Sequence, residues 1–373
     1  MTKRVRYIIN NVIIIKTNSI GEGATVGKKA TAGNWGKESE MDEMSFFRKA
    51  ARQCGLGDLE TAPLRVSGGY LHSMYRLETA SGRYALKLLN PVILKRTEAM
   101  GNFERAEKLE GILHRQGIPL IPALEAGGRK MQCVDGRFFY LFHWSEGKAL
   151  DWHEIKEEHC RAAGGILARI HKVERQEVPY QGEKFDTDWD GYIEKARWDC
   201  PEIAGELSKN REILYAAQRE YNAAQDSAPG VRCICDGDMD CKNVLWEDGK
   251  PFLIDLECLD YGNPFLEMFQ LALDWAGGSV CDMEFSRFDA FYEAYRKEYG
   301  EMQANLGALS GVGFGWLDWL AYNVRRALGT ECGDEEERRL GIREAHETIR
   351  RIVYYTSVRE ELLAHLEERY GGQ

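Results

Sequence analysis

The hydrophobic and polar positions of the chain change period part-way along. Tyr75, Leu77 and Thr79 alternate with polar residues, Ala80-Ser81-Gly82 turns, and Tyr84, Leu86 and Leu88 alternate again. A period of two on both sides of a Gly-bearing turn predicts a β-hairpin, and the whole of 64–87 reads as β-structure. Residues 125–144 predict two more strands, of which Arg137-Phe138-Phe139-Tyr140-Leu141-Phe142 is the clearer. A short amphipathic helix over 45–56 precedes these strands, and a helix over 95–116 lies between them, stopped by Gly117, Pro119 and Pro122. Beyond residue 150 the helical period dominates: 153–173, 190–225 with a break near Pro201, 265–275, 283–299, 315–328 and a highly charged 333–369. Strands first and helices after predict an α+β protein, with a small β-rich lobe and a large helical one.

One stretch of the second half departs from the helical period. It runs from Asp236 to Glu257 and reads D-G-D-M-D-C-K-N-V-L-W-E-D-G-K-P-F-L-I-D-L-E. The apolar runs 244–246 and 251–254 flank an E-D-G-K turn, which predicts a second hairpin. Its closure brings Asn243 beside Asp255, with Asp238 close by. An amide oxygen and two carboxylates converging at a strand end suit a hard cation such as Mg²⁺. Asp-x4-Asn followed by a strand-borne Asp is also the pattern by which phosphoryl-transfer enzymes place a base and metal ligands. Upstream, Ser67-Gly68-Gly69 is a glycine turn whose N–H groups suit phosphates, and Lys87 follows in Tyr84-Ala85-Leu86-Lys87.

Asp236-Gly237-Asp238, Asn243 and Ile254-Asp255-Leu256-Glu257 resemble the H-G-D-x-x-x-x-N … I-D-W-E signature of the aminoglycoside phosphotransferase and choline kinase superfamily. The resemblance runs from about Val66 to Trp275 and implies a two-lobed protein-kinase-like fold. It departs at Asp236, where that family usually has a histidine that supports the loop. By this resemblance the protein is an ATP- and Mg²⁺-dependent phosphotransferase acting on a hydroxyl of a small, aminoglycoside-like or amino-alcohol-like molecule. Asp238 is then the catalytic base, and Asn243 and Asp255 are the metal ligands. Lys87, with Ser67, Gly68 and Gly69, holds the nucleotide, and Glu107 or Glu104 pairs with Lys87. Counting back from the Gly117 stop favours Glu107. Leu167-Ala168-Arg169-Ile170-His171 is similar to the family's L-A-x-L-H, with His171 structural. A pseudokinase or spore-coat-type kinase-like scaffold without turnover is the rival reading.

Composition narrows the partners. A net charge of −11 argues against nucleic acid and allows a cationic acceptor. Trp316, Trp319, Tyr322 and Asn323 at helical spacing, with Glu257, Asp260 and Asp274, form a candidate face for an amine; the competing reading is helix core. Cys233, Cys235, Cys241 and Cys258 crowd the key loop, but C-x-C-x5-C matches no structural zinc pattern. Ten cysteines read as free thiols imply a reducing cytoplasm. The apolar run at 7–15 is too short to span a membrane, and residues 17–40 have little to bury. The expected organisation is therefore a poorly ordered extension over 1–40, a nucleotide-binding lobe over 41–142 and a catalytic and substrate-binding lobe over 143–373, with nucleotide held between the lobes.

Overall fold

The computed structural model describes residues 35–66, 72–300 and 304–371, with side chains from residue 43 onward. The expectations placed on residues 1–34 and on Ser67, Gly68 and Gly69 lie outside the described residues. The chain divides into two compact units. One comprises the described residues up to Lys108 together with Ile121–Glu146; the other comprises Leu109–Leu120 and the described residues from Gly147 on.

In the first unit, helix α1 (Trp35–Gln53) precedes strands β1 (Leu64–Val66), β2 (Ser73–Thr79) and β3 (Gly82–Leu88). A single-turn helix α2 (Pro91–Leu94), the start of α3 (Ala99–Arg115), β4 (Gln132–Val134) and β5 (Arg137–His143) complete it. The strands form one antiparallel sheet in the order β1-β2-β3-β5-β4. Alternation gives the sheet two apolar faces. Leu77, Tyr84, Leu86, Phe139 and Leu141 bury against Phe46, Phe47, Ala50 and Ala51 of α1. Tyr140, with Phe138 and Phe142, packs on the other side against Ala99 and Phe103 of α3. The single helix expected over 95–116 is α3, which starts four residues later, at Ala99, after the separate turn α2. Asn90 caps α2 by accepting from Val92 N–H, with Pro91 at its first position, and α3 starts afresh at Ala99. Helix α1 starts ten residues before the expected Ser45.

The second unit is mainly helical. It contains α4 (Glu157–Lys172), β6 (Gln176–Glu177), α5 (Trp189–Asp199), α6 (Pro201–Lys209), α7 (Arg211–Ser227) and β7 (Val231–Cys235). The hairpin β8 (Val244–Glu247) and β9 (Lys250–Leu253) follows, then β10 (Asp260–Gly262) and α8 (Pro264–Trp275). It closes with α9 (Phe285–Tyr299), α10 (Leu306–Leu309), α11 (Trp316–Ala327) and α12 (Glu335–Tyr370). The expected helix over 190–225 is three helices, with a second break at Asn210 besides the one before Pro201. Close packing of α4 on α9 requires Gly164, because a β-carbon there would lie 2.2 Å from the Phe291 carbonyl oxygen. No helix of the described residues is long and apolar enough to cross a membrane.

Candidate active site

The candidate site is built on β7 and the β8–β9 hairpin. β7 pairs with β10, Cys235 opposite Asp260 and Cys233 opposite Gly262, which fixes where the chain leaves the strand at Asp236. Gly237 then takes φ +82° and lies so close to Cys258 that a β-carbon would meet its carbonyl oxygen at 2.8 Å. Only glycine fits there. The loop ends in a short 3-10 turn, Cys241–Asn243, and the hairpin turns at Asp248-Gly249, both with positive φ.

Asn243 joins the parts. Its side-chain Nδ2 donates to the Asp238 carbonyl oxygen at 2.8 Å and to Asp238 Oδ2 at 2.9 Å. Its backbone oxygen accepts from Ile254 N–H at 2.9 Å, one residue before Asp255. Asp255 itself sits in the left-handed region, φ +62° and ψ +48°, a conformation that costs a non-glycine residue energy and recurs at functional sites. With Nδ2 committed to Asp238, the Asn243 amide oxygen is turned away from it. That oxygen and the Asp255 carboxylate are a hard-oxygen donor set that fits Mg²⁺.

Asp238 and Asn243 are both buried, yet Asp238 Oδ1 has no hydrogen-bond partner. The cation near it is Lys242, whose Nζ stands 3.5 Å away and 3.9 Å from Asp240 Oδ2. Burial pushes the Asp238 carboxyl well above its ordinary value; Lys242 opposes this, and Asp240, Asp255 and Asp236 add to it. Burial also works against the charge on Lys242, but Asp238, Asp240 and Asp255 outweigh it and raise its pKa.

Asp236 takes over a supporting role at the position where the resemblance expects histidine. Its Oδ1 accepts from Asp238 N–H at 3.2 Å, while Oδ2 is buried without a partner. Burial, then the Glu267 carboxylate, raise its pKa to about 7. The loop is clamped from below by Glu267, in the first turn of α8, which accepts from Gly237 N–H at 2.5 Å and Asp236 N–H at 3.3 Å. His171, fully buried, bonds Glu267 through Nε2 at 2.6 Å and the Tyr295 hydroxyl through Nδ1 at 2.8 Å. Burial disfavours the imidazolium, but the Cys235 sulfur and the Glu267 carboxylate outweigh it and raise His171 to about 9. His171, Cys233 and Cys235 bring their ligand atoms within 4.8 Å of one another. With both imidazole nitrogens already bonded, this trio reads as a packed core.

Two consequences are measurable. Breaking the Glu267–His171 pair leaves a buried group uncompensated, so Glu267→Ala should cost about 3–5 kcal/mol in urea unfolding. Asp236 holds its proton more tightly in the folded chain than in the unfolded one. Stability should therefore fall as pH rises from about 4 towards 7, the interval between the ordinary and the raised value. Asp236→Asn removes that loss. Its melting temperature should match the parent near pH 4 and exceed it by about 2–4 °C or more at pH 8.

The nucleotide-side candidates lie on the other unit. Lys87 is buried on β3, opposite Met74 of β2 and Tyr140 of β5. Tyr140 donates its hydroxyl to Glu107 Oε1 at 2.7 Å. Cross-strand partners share a sheet face, so Glu107 is tied to the residue beside Lys87. Glu104 is exposed. On the helical unit, Trp316, Trp319, Tyr322 and Asn323 are all buried. Trp319 Nε1 donates to Glu344 and Asn323 Nδ2 to the Trp319 carbonyl, so the stripe is chiefly helix core.

The sequence model of the phosphotransferase enzyme family matches residues 64–312, more than half of the chain. The chain belongs to the phosphotransferase enzyme family. No curated protein matches the sequence. Among solved structures, a spectinomycin phosphotransferase bound to ADP and spectinomycin is 15% identical with a TM-score of 0.61, over 85% of this chain and 98% of that one. A microcompartment-associated aminopropanol kinase is 15% identical, TM-score 0.54, over 84% and 98%. An ethanolamine kinase of Plasmodium vivax is 15% identical, TM-score 0.51, over 78% and 83%. At such identities the likeness shows the fold alone, which is protein-kinase-like and α+β, as the motif resemblance implies. Within this phosphotransferase fold, sequence reasoning passed over Glu267 and Lys242. Glu267 had a visible signal: an acid in the first turn of a mainly apolar helix, just after the Asn263-Pro264 start.

Proposed function

We propose that the protein transfers the γ-phosphate of ATP to a hydroxyl of a small, aminoglycoside-like or amino-alcohol-like molecule, with Mg²⁺. The observation that carries this reading is Asp238, held by Asn243 through one oxygen while the other has no hydrogen-bond partner. An acceptor hydroxyl gives its proton to Asp238 as its oxygen bonds the γ-phosphorus. The bond from that phosphorus to the β–γ bridging oxygen breaks, and ADP leaves. Asn243 and Asp255 would hold a Mg²⁺ ion, which supplies charge neutralisation for the phosphates and offsets the raised pKa of Asp238. Lys87 neutralises nucleotide phosphate charge, Glu107 steadies its surroundings through Tyr140, and Ser67, Gly68 and Gly69 contribute backbone N–H groups. Residues 41–142 serve the nucleotide, and 143–373 carry the catalytic loop and the acceptor site. The ten cysteines are free thiols, which supports a reducing cytoplasm as the working compartment.

Nucleotide binding is the direct test. Millimolar Mg·ATP should raise the melting temperature of the parent, and Lys87→Met should reduce that shift. No shift in a folded parent sample would leave the phosphotransferase reading without support.

A further inference from the structure

Four buried polar atoms near the catalytic loop have no hydrogen-bond partner. They are Gln270 Oε1 and Asp274 Oδ1 on α8, and Arg351 Nε and Nη1 on α12. Asp274 is 7% exposed and Arg351 3%. The groups are neighbours. Gln270 Nε2 donates to Asp274 Oδ2 at 3.1 Å, one helical turn away. A β-carbon on Gly315 would come within 3.4 Å of Gln270 Oε1, and the next residue, Trp316, carries the Arg351 guanidinium 4.8 Å from its ring centroid. The cluster also adjoins the catalytic loop. Trp275 Nε1, beside Asp274, donates to the Met239 carbonyl at 2.9 Å, and the charges of Asp240 and Lys242 act on Asp274.

Native interiors satisfy almost every buried polar atom, and charged ones most strictly. Here a carboxyl group and a guanidinium share one cluster with no ion pair between them, each with atoms left over. Leaving such atoms unmet is costly, so the cluster calls for a partner that the chain itself does not supply. We propose that Gln270, Asp274, Trp316 and Arg351 select the acceptor of the proposed transfer, and that they take a hydroxylated compound bearing both an amine and a carboxylate. The amine donates to Asp274 and Gln270, and the carboxylate accepts from Arg351 stacked on Trp316. The proposal rests on the phosphotransferase reading and names the chemistry of its acceptor.

The test uses three probes that share a hydroxyl-bearing chain: homoserine with both charges, 3-aminopropan-1-ol with the amine alone, and 4-hydroxybutanoate with the carboxylate alone. ADP release with Mg·ATP should show kcat/KM for homoserine about tenfold or more above either other probe, roughly one ionic contact's worth. Arg351→Gln should lower turnover of homoserine and 4-hydroxybutanoate but spare 3-aminopropan-1-ol. Asp274→Asn, an isosteric change, should lower homoserine and 3-aminopropan-1-ol but spare 4-hydroxybutanoate. A merely structural defect would lower all three alike. Equal use of the three probes by the parent, or a uniform loss in both variants, overturns the proposal. If none is phosphorylated, the melting shift by each at millimolar concentration with Mg·ATP decides, and no preference for homoserine overturns it as well. Failure of Mg·ATP alone to shift the melting temperature is a separate outcome, which removes the phosphotransferase reading itself.

Discussion

Asp238→Asn should lower phosphoryl transfer about 10²–10⁴-fold, the usual worth of a positioned base, while Mg·ATP affinity changes little. The substitution keeps the size of a side chain that has almost no room to move. It also keeps an oxygen able to accept from Asn243 Nδ2, so the loop geometry survives. What it removes is the negative charge and the capacity to take the acceptor's proton. Single-turnover kinetics with any accepted substrate, beside calorimetric titration of Mg·ATP, separate the two effects. Asp236→Asn is the control two residues away. Asp236 Oδ1 reaches only backbone N–H in the loop, so its asparagine variant should retain turnover within about tenfold, well short of the loss expected of a positioned base. The reverse pattern, full activity in Asp238→Asn and none in Asp236→Asn, would move the base to Asp236.

Asp255→Asn should instead weaken Mg·ATP binding by at least about 10–100-fold, since even residues that only orient metal ligands are worth that much. The substitution takes one charge from a donor set whose other proposed member, Asn243, is neutral. A hard dication is held chiefly by charge. The variant tolerates the left-handed backbone of position 255, because asparagine visits that region readily, so a folding defect is not expected to mask the result. Titrating Mg²⁺ at fixed ATP should show the loss as a rightward shift in metal dependence. Unchanged metal dependence would remove Asp255 from the proposed ligand set.

By itself the sequence determined the α+β class, the β2–β3 hairpin and the two later strands of the first unit, and the β8–β9 hairpin. The physical reason is local. Side-chain alternation, turn residues such as Asp248-Gly249 and the Asp-x4-Asn spacing act within a few residues of one another, and a hairpin fixes its own register. The helix expected over 95–116 is α3 with a start four residues later, and the separate turn at Asn90-Pro91 before it is a capping feature that helical period alone does not register. Other features needed the tertiary structure. The support of the Asp236 loop comes from Glu267 and His171, which are 31 and 65 positions away in the numbering and meet only when α4 and α8 pack beneath β7. That Glu107 rather than Glu104 meets Tyr140 depended on which turn of α3 faces that strand. Whether the Trp316 stripe is core, and that Arg351 stacks on it while one oxygen of Asp274 is left unmet, was decided by the packing of α8, α11 and α12. Burial and unmet hydrogen bonds are properties of surroundings assembled from distant segments, and no pattern within one segment encodes them.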